Sequence, residues 1–334
     1  MGTVGLHQQL ARLGLVQAGE TAKITPLTGG VSSDISLVEA GGRRFCVKRA
    51  LPRLKVAALW EAPVERNAAE AAFMRAVARW LPRAIPRVLG EDAEAGLFAM
   101  DYFASERFPL WKPELLEGRV DQNFAAAVGR DLALIHSKSA GEPEMRTAFA
   151  HDETFEAIRI EPYLRATAQA HPALAARLDS LAETTLSTKR ALVHGDVSPK
   201  NILVGPDGPV FLDAECACYG DPAFDLAFCL NHLLLKGLWN RAAAPRFLAA
   251  FDALAEGYFT SASFERRAAL EQRTAALLPA LFLARVDGKS PVEYISGEPD
   301  RDLVRATAAP FIRNPPQHLQ AIRAAWADAL GSVS

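Results

Sequence analysis

At positions 194–201 the chain runs His194-Gly195-Asp196-Val197-Ser198-Pro199-Lys200-Asn201. This 194–201 segment lies between two brief apolar runs, Ala191-Leu192-Val193 and Ile202-Leu203-Val204. A third run, Val210-Phe211-Leu212, ends directly at Asp213. Short apolar runs separated by turn residues indicate strands. We therefore predict a small β-element whose ends carry the polar residues of interest.

The spacing of these polar residues is that of the protein-kinase catalytic loop, His-x-Asp-x-x-x-x-Asn, followed by a strand-borne Asp. Such chemistry needs one carboxylate beside the attacking hydroxyl, to orient it and accept its proton. It also needs oxygen ligands for Mg²⁺, which prefers carboxylate, amide oxygen and water. The pattern predicts Asp196 as the base, Asn201 and Asp213 as Mg²⁺ ligands, and Glu215 as a further candidate ligand.

A purely structural interpretation of each residue stands beside this one. Asp, Asn and His are common at strand ends because their side chains form local hydrogen bonds there. Any one of them alone fits that role. The ordered set of Asp196, Asn201 and Asp213 favours a functional site.

A lysine upstream fits the same chemistry. Lys48 ends the strand-like run Phe45-Cys46-Val47-Lys48, where an apolar residue or a solvated charge would be ordinary. We predict that Lys48 holds the α- and β-phosphates of a nucleotide. Its carboxylate partner is Glu70 or Glu65, and Glu70 is preferred because it lies deeper in an Ala-rich helical stretch. For either glutamate alone, a solvated helix charge is the stronger interpretation.

A glycine-containing loop precedes this lysine. In Thr28-Gly29-Gly30-Val31-Ser32-Ser33, backbone N–H groups can reach phosphate oxygens without side-chain obstruction. Many hairpins look like this, so the loop gains its value from preceding Lys48. We predict that Gly29, Gly30 and Ser32 contact the nucleotide.

Several motifs together carry a family resemblance: Leu192-Val193-His194-Gly195-Asp196, Asn201, Leu212-Asp213-Ala214-Glu215, Tyr219-Gly220-Asp221-Pro222 and Asp225-Leu226. They resemble the aminoglycoside phosphotransferase/choline kinase-like superfamily, whose members phosphorylate hydroxyls of small molecules. The resemblance implies ATP and Mg²⁺ as cofactors. It also implies that Met100-Asp101-Tyr102 contacts adenine through its backbone, so Met100 and Tyr102 are candidate nucleotide-binding residues.

A narrower, partial resemblance is to the methylthioribose kinases. It rests on Asp213-Ala214-Glu215 with Tyr219-Gly220 after it and, more loosely, on Leu110-Trp111-Lys112. Asn201 and Asp221-Pro222 follow the broader superfamily instead. The resemblance therefore leaves the acceptor open.

Length and element pattern predict two lobes. At about 100–200 residues per domain, 334 residues with 50% hydrophobic content are enough for two cores. Short β-rich runs dominate the first third of the chain, and apolar residues at helical spacing dominate the rest. We predict an α+β, bilobal protein-kinase-like fold. Residues 1–102 form a small antiparallel-sheet, nucleotide-binding lobe, and residues 103–334 form a larger, mostly helical lobe for catalysis and acceptor binding.

Charge and composition narrow the possible partners. Lys+Arg 37 against Asp+Glu 39 gives a net charge of −2, which disfavours nucleic acid. The apolar stretches are too short to span a bilayer, and no signal peptide is visible. Four cysteines are too few for a disulfide scaffold. We expect a cytoplasmic protein with a small-molecule hydroxyl substrate, and its oligomeric state stays open.

The acceptor is only partly constrained. A cationic aminoglycoside would favour a strongly acidic acceptor lobe, whereas the helices here mix both signs, which favours a sugar, a polyol or a hydroxy acid. Candidate acceptor-site residues are Trp111, Arg159, His232 and Arg285. The stretch from Arg285 to Ser290 either borders the acceptor pocket or is a helix-ending turn with solvated charges.

Two other functions remain as hypotheses: a nucleotide-binding pseudokinase or regulator, and an aminoglycoside-modifying kinase. The intact set of Lys48, Asp196, Asn201 and Asp213 argues against the pseudokinase, because pseudokinases usually lack one of these residues.

Overall fold

The computed structural model of the chain describes residues 3–17, 19–27, 33–50 and 66–331. Its first part contains an antiparallel sheet of five strands in the spatial order first, second, third, fifth, fourth. The strands are β1 (Lys23–Leu27), β2 (Ser33–Ala40), β3 (Arg43–Ala50), β4 (Val88–Asp92) and β5 (Leu97–Asp101). Helix α1 (Thr3–Arg12) precedes the sheet, and helix α2 (Arg66–Ala78) lies between β3 and β4 in the chain.

The central strand β3 is covered on both faces, and this positions Lys48. Alternate side chains of a strand point to opposite faces of the sheet. Phe45 and Val47 pack in an apolar cluster with Leu10 of α1. Cys46 packs in the main core with residues of α2. Lys48, two residues after Cys46, therefore points to the α2 face.

The rest of the chain is mostly helical. Its helices are α3 (Trp111–Leu116), α4 (Gln122–Ser139), α5 (Pro143–Ala148), α6 (Asp152–Phe155), a π-helix (Glu156–Arg165), α7 (Ala166–Ala170), α8 (Ala175–Ser187), α9 (Pro222–Trp239), α10 (Ala244–Ser261), α11 (Arg267–Asp287), α12 (Glu298–Arg313) and α13 (Leu319–Gly331). Within the described ranges, no helix combines the length and apolar character needed to cross a membrane.

Two small β-ribbons interrupt the helices at the segment singled out in the sequence. Strand β6 (Ala191–Val193) pairs with β9 (Cys218–Gly220), and β7 (Ile202–Gly205) pairs with β8 (Gly208–Phe211), both antiparallel. The antiparallel sheet followed by a helical lobe confirms the predicted α+β, bilobal protein-kinase-like fold. The boundary between residues 102 and 103 stays a prediction.

Helix α9 forms the axis of the helical lobe. Asp221 caps its N-terminus by accepting a hydrogen bond from the backbone N–H of Ala223, and Pro222 occupies the first turn. Nearly every residue of α9 is buried. A helix that is apolar all around must lie inside a core, and α10 and α11 pack against it. Residues in the first turn of α9 are thereby held in fixed positions.

Helices α4 and α10 approach closely because each presents a glycine to the other. A Cβ atom at Gly129 of α4 would lie 2.1 Å from the carbonyl oxygen of Leu254, and one at Gly257 of α10 would lie 2.5 Å from that of Ala126. Only hydrogen fits at both positions.

We predict that Gly129→Ala destabilises the protein by about 2 kcal/mol or more, because the helices must move apart to admit the methyl group. Urea or thermal unfolding measures the change. The matched control is Gly237→Ala in α9, where a Cβ would lie 3.5 Å from that of Phe247, an ordinary contact. There the higher helix propensity of alanine keeps stability equal or raises it. Equal melting temperatures for both variants would contradict the prediction.

Candidate active site

The start of the 194–201 segment is fixed by one buried carboxylate. Asp225, in the first turn of α9, accepts hydrogen bonds from the backbone N–H groups of His194 (2.7 Å) and Gly195 (2.8 Å). Gly195 has φ +79°, and a Cβ there would lie 2.8 Å from that of Cys216. The backbone therefore requires glycine at this position.

The same carboxylate contacts a second helix pair. Nε2 of His136 (α4) lies 3.2 Å from Asp225 Oδ2, and Nδ1 lies 2.6 Å from the hydroxyl of Tyr258 (α10). A carboxylate only accepts, so a neutral His136 ring satisfies both contacts when Nε2 donates to Asp225 and Nδ1 accepts from Tyr258. All three side chains are fully buried. The network ties α4, α9 and α10 to the 194–201 segment.

The predicted base, Asp196, lies between two cations. Its Oδ2 is 2.9 Å from Nη2 of Arg159 in the π-helix and 3.0 Å from Nζ of Lys200. Burial alone would raise the pKa of Asp196, but the two cations outweigh it and the net effect lowers that pKa. The side chain is therefore a carboxylate at neutral pH, able to accept a hydrogen bond from a hydroxyl.

Asn201 connects Asp196 to the strand that ends at Asp213. Its side-chain Nδ2 donates to the backbone oxygen of Asp196 (3.1 Å), and its backbone oxygen accepts from the N–H of Leu212 (2.8 Å). With Nδ2 engaged, the side-chain oxygen Oδ1 is the atom left to act as a ligand. These two bonds bring the three predicted residues of the motif into one region.

Asp213 has an unusual backbone. Its φ of +66° is left-handed, a conformation that non-glycine residues seldom adopt outside functional sites. Its side chain is 31% exposed and forms an ion pair with Lys48. Burial would raise the pKa of Asp213, but Lys48 and Lys200 outweigh it and lower that pKa. A carboxylate partly open to solvent and ionised at neutral pH suits a metal ligand.

Lys48 joins the sheet lobe to the helical lobe. Its Nζ lies 2.6 Å from Oε2 of Glu70 on α2, in addition to the contact with Asp213. Burial would lower the pKa of Lys48, but the two carboxylates outweigh it and raise that pKa. Burial, opposed by Lys48, raises the pKa of Glu70 to about 7. Glu65, the other candidate partner, lies outside the described residues, as do Gly29, Gly30 and Ser32.

The side chains at this position suit a hard cation. Asp213 and Asn201 offer carboxylate and amide oxygens, the ligands that Mg²⁺ prefers. Glu215, the further candidate, has its Oε2 3.2 Å from Nε of Arg66. The described residues contain no cluster of three or more His, Cys, Asp or Glu side chains that could hold a metal alone. Mg²⁺ usually takes one or two carboxylates and completes its shell with phosphates and water.

The predicted adenine-contacting residues flank the end of β5. Met100 lies within that strand, paired with Cys46 of β3 and Val88 of β4. Tyr102 follows the strand, and its ring lies 4.6 Å from the guanidinium of Arg44. Their contact with a nucleotide stays a prediction.

The four candidate acceptor residues occupy different surroundings. Trp111 is buried in the core, edge-on to Phe124, so its indole contributes packing. Arg159 contacts Asp196 directly, as described above. His232 is buried on α9, and Arg285 donates from Nη1 to the hydroxyl of Tyr163 (2.9 Å).

Sequence reasoning missed two lysines near these residues. Lys200 belongs to the 194–201 segment, and its spacing of four from Asp196 was a signal for a local ion pair. Lys236 is buried in α9 one turn after His232. A lysine inside the apolar run Leu233-Leu234-Leu235-Lys236 was an available signal for a functional group.

Comparison with known families agrees with this geometry. The sequence profile described as Phosphotransferase enzyme family matches residues 23–271. That range includes both the sheet with Lys48 and the segment from Asp196 to Asp225.

Among curated proteins, a methylthioribose kinase of Pectobacterium atrosepticum is 27% identical over 243 residues, covering 65% of this chain and 59% of the relative. The chain thus matches about three fifths of that relative's length. Similar relatives from Yersinia are 26% identical over 223 residues.

Two solved structures have a similar fold over nearly the whole chain. A choline/ethanolamine kinase family protein of Mesorhizobium loti has a TM-score of 0.55 at 20% identity, covering 95% of this chain and 99% of that one. An amicoumacin kinase in complex with AMP-PNP, Ca²⁺ and Ami has a TM-score of 0.55 at 13% identity, covering 96% of each. At these identities the likeness concerns the fold.

We predict that Asp225→Ala destabilises the protein by about 2–5 kcal/mol, because buried donors of His194, Gly195 and His136 lose their acceptor. Thermal unfolding measures the loss. Asp225→Asn keeps one acceptor oxygen, so its melting temperature should lie between those of the wild type and Asp225→Ala. Asp328→Ala on the exposed face of α13 is the control and should change little. If Asp225→Ala melts with the wild type, the segment does not depend on this carboxylate.

Proposed function

The chain belongs to the phosphotransferase enzyme family, and we propose that it transfers the γ-phosphoryl group of ATP, with Mg²⁺, to a hydroxyl of a small metabolite. The observation that carries the proposal is the double link made by Asn201, to the backbone of Asp196 and to the residue before Asp213. It joins a base and an oxygen ligand set in one region, as in-line phosphoryl transfer requires.

The nucleotide side of the reaction falls to the sheet lobe and Asp213. Lys48 would contact the nucleotide phosphates, with the loop containing Gly29, Gly30 and Ser32 supplying backbone donors. Asp213 and Asn201 would hold Mg²⁺, with Glu215 as a third candidate. Mg²⁺, when bound, neutralises charge that develops on the phosphate oxygens.

Asp196 would act on the acceptor. Its carboxylate orients the acceptor hydroxyl toward the γ-phosphorus and takes its proton. A bond forms between the acceptor oxygen and phosphorus, the bond from phosphorus to the bridging oxygen breaks, and ADP leaves. Arg159 and Lys200 hold the carboxylate ionised and in place. Most of the rate enhancement comes from positioning and charge neutralisation.

A sugar, a polyol or a hydroxy acid is the favoured acceptor. The methylthioribose kinases found as relatives act, by their name, on a sugar derivative, which supports this class over the polycationic aminoglycosides. The retained ion-pair set of Lys48, Glu70 and Asp213 supports an active enzyme over a regulator that only binds nucleotide.

We predict that Asp196→Asn lowers turnover by about 10²–10⁴-fold, because the hydroxyl loses its proton acceptor. ADP release across a panel of hydroxyl metabolites measures turnover, and calorimetry with Mg-ADP should show binding within a few-fold of wild type. Asp328→Asn on exposed α13 serves as the matched control. Wild-type turnover by Asp196→Asn would exclude Asp196 as the base.

For the metal side, Asp213→Asn should weaken Mg²⁺-dependent nucleotide binding by about tenfold or more, because it removes a charged oxygen ligand and a partner of Lys48. Titration of Mg²⁺ at fixed ATP, followed by calorimetry, measures the shift. An unchanged Mg²⁺ requirement would remove Asp213 from the ligand set. Mg-ATP binding without ADP release from any acceptor would instead favour the regulator.

A further inference from the structure

A buried lysine without a counter-ion lies beyond the residues assigned above. Lys236 of α9 is 1% exposed. Among the residues that the structure describes, its ammonium has no ion-pair partner. Its Nζ lies over the face of the Tyr294 ring, 4.2 Å from the ring centroid. Burial and the neighbouring Lys112 lower the pKa of Lys236 to about 7. Burial and repulsion by Lys112 and Arg285 outweigh the attraction of Glu293, so the amine holds its proton firmly only when a further anion lies close to it.

A second buried cation adjoins it. Arg285 of α11 is 9% exposed and bonds through Nη1 to the hydroxyls of Tyr163 and Ser290 and to a backbone oxygen. All these acceptors are neutral, and within the described ranges no carboxylate pairs with Arg285. Its Nε is buried without an acceptor, as is the hydroxyl of Tyr294. Native proteins seldom leave buried polar atoms unpaired.

The charges around this pair do not balance. Lys112 and Lys236 both interact electrostatically with Glu293, and Lys236 also interacts with Arg285. Glu293 is already in an ion pair with Lys112. His232 is a neutral ring at neutral pH, because burial and the charges of Arg285 and Lys236 push its pKa well below the usual range, so it adds no charge of either sign. Among the described residues, the buried guanidinium of Arg285 therefore has no anionic partner, and Lys236 shares only the carboxylate that already pairs with Lys112.

This basic cluster, consisting of Lys112, Lys236 and Arg285 around the neutral ring of His232, borders the site of Asp196. His232 interacts electrostatically with Lys200, which pairs with Asp196. Phe228 links the two regions, because its ring packs 5.5 Å from that of His232 and 6.0 Å from the guanidinium of Arg159. The side chain of Lys112 is 30% exposed and that of Lys200 is 55% exposed, so solvent reaches the cluster at Lys112 and the site of Asp196 at Lys200.

We propose, resting on the proposed phosphotransferase function, that the hydroxyl acceptor carries an anionic group, a carboxylate or a phosphate, which Lys236 and Arg285 bind. Burial of an unpaired charge is unfavourable unless a partner supplies the opposite charge. An anion at this position would pair with both basic side chains and accept hydrogen bonds from Arg285 Nε and from the Tyr294 hydroxyl. The hydroxyl end of the same molecule would then face Asp196.

The test uses sets of acceptors that share a carbon skeleton and differ in charge. Glycerol, glycerate and glycerol 3-phosphate form one set, and ribitol, ribonate and ribitol 5-phosphate form another, with kanamycin as the cationic probe. ADP release with Mg-ATP should give kcat/KM about 10–100-fold higher for an anionic member than for its neutral partner. The carboxylate and phosphate members distinguish the two sources of charge.

Variants then locate the effect. Lys236→Met and Arg285→Met should raise KM for the anionic acceptor about tenfold or more and leave KM for ATP unchanged. Without acceptor, Lys236→Met should melt roughly 2–4 °C above wild type, because it removes a buried amine without a hydrogen-bonded counter-ion at nearly constant volume. Lys138→Met, the same change on an exposed site of α4, is the matched control.

The outcomes separate the two proposals. Turnover of neutral polyols or of kanamycin at rates equal to the anions, or variants that bind the anion as wild type does, overturns the anionic acceptor and leaves the phosphotransferase standing. If no acceptor yields ADP, the proposed function fails, and binding of the anionic compounds still decides this inference. Binding is followed as a rise in melting temperature of the wild type with glycerate, ribonate or the two phosphates. A rise that is lost in Lys236→Met supports an anion site, and the absence of any rise overturns it.

Discussion

The carboxylate of Asp225 is the interaction on which the placement of the site depends. A fully buried carboxylate is stable only when several donors surround it, and here they are the N–H groups of His194 and Gly195 and the ring of His136. Since α9 is buried along nearly its whole length, Asp225 cannot move without disturbing the core. The position of Asp196, one residue after Gly195, is therefore set by the hydrophobic packing of α9, since Asp225 lies 30 residues beyond Gly195 in the chain.

A second constraint couples the two lobes through charge. The ammonium of Lys48 lies between Glu70 of the sheet lobe and Asp213 of the helical lobe. Removal of either carboxylate leaves a buried cation partly uncompensated, which is unfavourable. Asp213 makes this contact from a left-handed backbone, a conformation that persists only when the surrounding structure holds it. Relative movement of the lobes is therefore linked to how Lys48, Glu70 and Asp213 pair. The phosphates of a bound nucleotide would add negative charge beside Lys48 and change that pairing.

The sequence predicted the family, the fold and the region of the site because those features rest on local spacing. The apolar runs around residues 194–213 define strands, and the motif residues between them need no knowledge of distant contacts. Pairings across the chain were not predictable in this way. The ion pair of Arg66 with Glu215 joins residues 149 apart. The burial of Trp111 in the core was not predictable either, because a tryptophan pattern fits a core and a ligand site equally. The buried charge of Lys236 depends on which helices surround α9.

Local charge differs in sign between the two halves of the site. Among the described residues near the proposed nucleotide side, three carboxylates (Glu70, Asp213 and Glu215) lie beside the cations Lys48 and Arg66. Among those near the proposed acceptor side, the carboxylates of Asp196 and Glu293 lie beside five basic side chains, which are Lys112, Arg159, Lys200, Lys236 and Arg285. The net charge of −2 averages such regions with the rest of the surface and hides both. A divalent cation offsets the first imbalance and an anionic ligand the second, so each half favours a ligand of opposite sign.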